Sequence, residues 1–170
     1  MNKSIKKIVI AALFAAFTCA ATFISVPLPI GYANLGDVMV LLCGAVLGPV
    51  YGSLAAGLGS ALADMFFGYA MYIPGTFIIK ALMAFTVASL FKLISSKVKY
   101  SIVSHVISAV AAEIIMVGGY YLYESVCLSY GFGGAAASLF GNCMQGVVGV
   151  VASSALVIPL KKLMTKAKIL

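Results

Sequence analysis

Apolar residues run along the chain in long blocks separated by short polar or glycine-rich stretches. The blocks extend from about Ile5 to Val26, Val38 to Phe67, Pro74 to Leu93, Ser101 to Leu122 and Ala135 to Leu160. A helix needs roughly 20 residues to cross the hydrocarbon core of a bilayer, so four of the five blocks read as single passes. The block from Val38 to Phe67 is long for one span and short for two. Within it, Gly48-Pro49 sits where a turn between two helices would fall.

Charge placement decides between the two counts. Cytoplasmic loops and ends of membrane proteins collect Lys and Arg. Here the lysines group at Lys3, Lys6 and Lys7, at Lys92, Lys97 and Lys99, and at Lys161, Lys162, Lys166 and Lys168. Two passes between residues 36 and 68 put all three groups on one side; one pass puts the basic loop of 92–99 opposite the N-terminus. The expected fold is an all-α membrane protein, a compact bundle of six transmembrane helices. They are placed at approximately 5–25, 36–48, 50–68, 75–95, 101–123 and 136–162, as one domain over residues 1–170. Both termini are expected in the cytoplasm and the chain in the cell membrane. The paired second and third helices must be short or sit where the bilayer is thinned.

Composition supports this reading and narrows the function. Hydrophobic residues make up 64% and charged residues 9% of the 170 positions, too few charges to cover a water-soluble domain. Every one of the basic residues is Lys, which makes bidentate readout of phosphate or bases an unsuitable use of the +7 net charge, so no nucleic-acid partner is expected. Cys19, Cys43, Cys127 and Cys143 form no C-x-x-C pair and read as small apolar packers. The basic start before Ile8–Ile24 resembles a secretory signal, but the run is long for a signal core, and it is read as the first helix.

Small residues supply the packing surfaces. Gly44, Gly48 and Gly52 recur at every fourth position, Ser53, Gly57 and Ala61 continue the pattern, and Ala12, Ala16 and Ala20 line one face of the first helix, broadened by Ala11 and Ala15. The alanine face has two readings: packing inside the bundle, or a smooth surface for another membrane protein. Pro27 and Pro29 bracket an extended outer loop that continues through Gly31, Tyr32, Asn34 and Gly36. It is either a plain connector or a cover for an outward-facing pocket.

Ionisable residues in a span are costly and therefore face a cavity or a partner. Asp37 opens the second helix, where capping explains it as well as function does. Asp64 and Lys80 fall at matching depth, which allows an ion pair or a shared polar ligand. Glu113 lies near the middle of the fifth helix, with no route for snorkelling to water. Asn142 and Gln145 share a helix face with Ser138 and Gly149. Together with Tyr72, Tyr120 and Tyr121 they suit an amphipathic pocket for a small ring compound, or else interhelical hydrogen bonding and interfacial anchoring. His105, at the cytoplasmic end of the fifth helix, reads as an interface residue. No G-x-x-x-x-G-K-[ST], H-E-x-x-H or G-x-S-x-G motif is present, so no ATPase or protease activity is expected of the chain itself.

Asn34-Leu35-Gly36-Asp37, the run GAVLGPVYG from Gly44 to Gly52, the run GLGSALAD from Gly57 to Asp64, Gly68-Tyr69, and TFIIK from Thr76 to Lys80 resemble the substrate-binding S component of energy-coupling factor (ECF) vitamin transporters. The likeness is to the branch with riboflavin-type and pyridoxine- or hydroxymethylpyrimidine-type members. It implies a non-enzymatic subunit that captures a small water-soluble vitamin from outside and topples in the bilayer against one T component and two ATPases. ATP and Mg are then used by the partner ATPases, with no cofactor on this chain. It implies a T-component interface at Ala11, Ala12, Ala15 and Ala16. It also places Tyr32, Asn34, Lys80, Glu113, Asn142 and Gln145, with Asp37 and Asp64, around the ligand. A pyridoxine or hydroxymethylpyrimidine ring is the first expectation and riboflavin the alternative. Two other classes remain: a stand-alone ion-coupled carrier using Glu113 and Asp64, for which no duplicated half is visible, and a membrane enzyme, for which no clustered nucleophile or ligand set is visible.

Overall fold

The computed structural model describes residues 3–27, 32–96 and 101–166. They form α1 (Lys3–Thr22), a two-stranded antiparallel hairpin of β1 (Ser25–Pro27) and β2 (Tyr32–Asn34), α2 (Gly36–Phe67), α3 (Ile73–Ser95), α4 (Ser101–Leu122) and α5 (Gly131–Lys166). A single 3-10 turn, Ala70–Tyr72, leads into α3, and a π-helical turn, Tyr123–Cys127, extends α4. Among the described residues, five helices are long and apolar enough to cross a membrane. The bundle's exterior is itself apolar: Ile114 is 68% exposed and Val151 67%. Such an exterior is compatible with lipid and not with water, and the chain is a membrane protein.

The second of these helices is not a straight rod. Its 32 residues would span about 48 Å if straight. Yet its first residue, Gly36, packs against the Thr22 side chain, and the ring of Phe67 near its end lies 4.4 Å from that of Phe23. Both ends therefore meet the same end of α1, and the chain doubles back between them. The reversal is at Gly48, whose φ of 79° and ψ of −176° are essentially confined to glycine. Pro49 follows as the first residue of the returning arm, where its missing N–H costs nothing. Across the break, Gly52 packs against the backbone of Cys43 and Gly44.

The outgoing arm of α2 lays Gly44 on the Ala84 carbonyl of α3. The returning arm lays Gly57 on Phe77 of α3 and Gly59 on the Ala15 carbonyl and Thr18 of α1. These glycines do what small residues do between membrane helices, allowing backbones to approach. The core they surround is built from Leu41, Leu42, Met83, Val87 and Met116, all buried. Gly68 ends α2 in the left-handed conformation, its N–H reaching the carbonyls of Asp64 and Met65.

Several expectations change. Helix α5 starts at Gly131, not 136, and runs to Lys166. The stretch from Glu124, left between the expected helices at 101–123 and 136–162, opens in the π turn, which carries Glu124 into the bundle with 7% exposure. His105 is not an interface residue: it is fully buried, because Ser153 on α5 offers its ring Nε2 a hydrogen-bond partner at 2.9 Å. Cys19 and Cys43 are buried packers, whereas Cys127 and Cys143 are exposed. The expected loop around Pro29 and Gly31, and Lys97, Lys99 and Lys168, lie outside the described residues.

Candidate ligand-binding site

At the end of the bundle that carries the β hairpin and the turns at 68–72 and 123–130, the helices enclose a cavity of about 630 Å³. That volume lies within the roughly 300–1,000 Å³ typical of small-molecule sites. Its floor is a chain of polar contacts between four elements. Lys80 of α3 forms an ion pair with Asp37 Oδ1 in the first turn of α2, and both side chains are buried. Gln145 Nε2 of α5 donates to Asp37 Oδ2 at 2.8 Å. Gln145 Oε1 accepts from Asn34 of β2 through the side-chain Nδ2 at 2.9 Å and the backbone N–H at 3.3 Å. Asn34 Oδ1 in turn accepts the Gly36 N–H at 2.9 Å, fixing the entry into α2.

Lys80 was a candidate partner for Asp64 on grounds of depth. The fold pairs it with Asp37 instead, because the outgoing arm of α2 runs alongside α3 and brings position 37 level with position 80. Asp37 is thus no cap: it lies inside the helix, with both carboxylate oxygens spent on Lys80 and Gln145. Asp64, on the returning arm, lines the cavity, and its Oδ2 has no hydrogen-bond partner. Ser60, one turn earlier on the same face, is likewise unpartnered at Oγ.

The opposite wall is built around Glu124. Its Oε1 accepts from the Tyr72 hydroxyl at 3.3 Å and its Oε2 from Ser138 Oγ at 2.5 Å. Tyr69, Tyr72, Tyr120 and Tyr130 supply aromatic faces to the cavity. The Tyr120 ring stands 5.2 Å from Lys80 Nζ, within cation–π range, while its hydroxyl donates to Thr76 Oγ1 at 3.0 Å. The cavity therefore has flat apolar surfaces for a ring, and hydrogen-bonding groups at its floor and two walls.

The family model described as ECF-type riboflavin transporter, S component, matches residues 2–162. The chain belongs to that S-component family. It is 34% identical over 149 residues, 86% of this chain and 95% of the relative, to an uncharacterised protein of Pyrococcus woesei. It is 26% identical over 162 residues, 91% of this chain and 87% of the relative, to the thiamine precursor transporter HmpT of Lactococcus lactis subsp. cremoris. The family is one of transport subunits and not of enzymes.

In this S component, six of the expected binding residues line one cavity: Asn34, Asp37, Asp64, Lys80, Asn142 and Gln145. Tyr32 pairs through its backbone with Pro27, and its side chain lies outside the described residues. Glu113 is not on the cavity wall. It is buried just behind the Asp37–Lys80 pair, in a second, apolar groove between α4 and α5. Tyr121 turns away, its hydroxyl donating to the Phe132 carbonyl at 3.3 Å. The residues not anticipated are Glu124, Tyr130, Thr76 and Ser60; only the crowding of tyrosines around position 124 hinted at the first. Of the four alanines, Ala15 is buried and Ala11 half-buried against the bundle, while Ala12 and Ala16 are exposed beside Leu13 and Phe17.

Proposed function

We propose that this S component captures a small, neutral or cationic nitrogen heterocycle of the vitamin class, with a hydroxymethylpyrimidine or pyridoxine-type ring as its first ligand. The observation that carries the reading is the cavity itself, a tyrosine-walled chamber lined by the Asp64 carboxylate, whose Oδ2 has no hydrogen-bond partner. An aminopyrimidine or hydroxylated pyridine presents ring and exocyclic donors that such an acceptor satisfies, and a flat face that stacks on tyrosine. The likeness to a thiamine precursor transporter points the same way.

In this reading the chain crosses the bilayer six times, with the two arms of α2 as separate short spans and the lysine-rich ends in the cytoplasm. The cavity, at the lysine-poor end, then opens to the outside. A T component and two ATPases complete the importer, with the exposed Ala12 and Ala16 facing the T component, and ATP with Mg is consumed by those partners.

Riboflavin is the second reading. It is favoured by the family model's description and by a volume of about 630 Å³, which leaves room for a larger ring system. Isothermal titration of the purified, ligand-depleted chain with hydroxymethylpyrimidine, pyridoxine and riboflavin separates the two. Saturable binding of a single-ring compound at one site per chain is expected. Tight binding of riboflavin alone transfers the assignment to the second reading. Failure to bind any of the three, with solute uptake by the lone chain under an ion gradient, would point to a self-sufficient carrier.

A further inference from the structure

Asp37 and Glu113 both lie within electrostatic range of the Lys80 ammonium, and the fold divides the available partners unequally between them. Asp37 has one oxygen on Lys80 and the other on Gln145. Glu113, 6% exposed, has no hydrogen-bond partner at either oxygen. The two carboxyl groups flank one glycine of α5: a Cβ on Gly149 would meet Glu113 Oε1 at 2.7 Å and Asp37 Cβ at 3.2 Å. On its other side Glu113 borders a groove of about 570 Å³ walled by Val110, Ile114, Val117, Val147 and Val150. Ile114 is 68% and Val147 57% exposed, so this groove faces lipid.

One ammonium neutralises one carboxylate. A second carboxylate in the same buried volume, without donors and beside a like charge, is too costly to keep ionised. Since Asp37 holds both donors, the group left to be neutral is Glu113. Ionising it would set a second anion competing for Lys80. The Asp37–Gln145–Asn34 chain that forms the cavity floor would then lose part of its anchor. The titratable groups beside it are Asp37 from α2 and Lys80 from α3, with Cys143 of α5 lining the same groove.

We propose that Glu113 is a proton-binding site on the membrane-facing flank of the Asp37–Lys80 pair, and that losing its proton loosens the cavity floor and weakens ligand capture. The effect on capture rests on the function proposed above; the proton site does not. Infrared difference spectra of the full chain in lipid nanodiscs test the site directly. A protonated-carboxyl C=O band is expected near neutral pH, absent in Glu113→Gln and lost from the wild type as the pH is made strongly alkaline. Should the Gln variant not fold, Glu113→Asp must shift that band. A neutral-pH spectrum in which neither substitution alters a carboxyl band overturns the proposal. The second arm titrates hydroxymethylpyrimidine across the same pH range. Wild-type affinity should fall about 10-fold or more while Glu113→Gln keeps its low-pH affinity, and a level wild-type affinity while the band titrates overturns the coupling. Because the infrared arm needs no vitamin, a chain that binds none of the tested rings defeats the ligand reading and leaves the proton site to its band.

Discussion

Gln145 Oε1 accepts from Asn34 Nδ2 at 2.9 Å, joining α5 to the β hairpin across 111 residues of sequence. The same side chain donates to Asp37, so one amide holds the hairpin, the start of α2 and α5 together. Replacing Gln145 by Leu strands the Asn34 donor and one Asp37 oxygen, at roughly 1–3 kcal/mol for each buried group left unpaired. Ligand affinity should fall at least about tenfold, and amide exchange across residues 32–36 should quicken. Unchanged exchange in that segment would show that the hairpin is held by other contacts.

The Asp37–Lys80 pair is predicted to behave as a buried pair does, costly to break from one side. Lys80→Met leaves the Asp37 carboxylate without its counter-ion and should destabilise the fold by about 3–5 kcal/mol. Adding Asp37→Asn removes the stranded charge and should recover much of the loss. Thermal unfolding of the single and double variants in detergent reads the difference. A double variant no more stable than Lys80→Met would mean that Asp37 finds another partner when Lys80 is absent.

How far these contacts were visible in the sequence depends on what each one required. The break at Gly48-Pro49 was readable because a glycine-only backbone and a proline at a helix start leave a direct trace in residue identity. Depth along a helix was readable too, and it brought Lys80, Asn142 and Gln145 to the right level. Azimuth was not. Depth alone paired Lys80 with Asp64, and only the direction of the outgoing arm of α2 brings Asp37 to it. The same lack placed Glu113 on the cavity wall, when it faces the back of the pair. Glu124 was missed because a π turn has no sequence signature, and the expected fifth helix ended one residue before it, at 123.

Among the described residues, three carboxyl groups line the cavity, Asp37, Asp64 and Glu124, with one ammonium, Lys80, already paired. Phosphorylated forms of the ligand should therefore be rejected, since a phosphate ester brings up to two further negative charges against Asp64 and Glu124. Binding of the phosphate ester is expected to be weaker than that of the free ring by about 100-fold, or roughly 2.7 kcal/mol. Asp64→Asn should weaken the free ring and narrow this gap. Competition titrations with both forms measure it, and equal affinity for ester and free ring would rule out charge as the selecting feature.

The alanine face of α1 divides into two roles that substitution should separate. Ala15 lies against the second arm of α2, where Gly59 packs directly on its carbonyl. Enlarging it to Leu has no space to enter and should cost about 1–3 kcal/mol of stability, lowering ligand binding and transport alike. Ala12 and Ala16 are on the outer side of the same helix, and among the described residues neither is buried by the bundle. Leu at either position should leave unfolding temperature and ligand affinity unchanged. If that side meets a T component, the added bulk holds the helices apart, and ATP-driven uptake in vesicles reconstituted with the partner subunits should fall by an order of magnitude or more. Full uptake by both the Ala12→Leu and Ala16→Leu variants would move the contact to another face of the bundle.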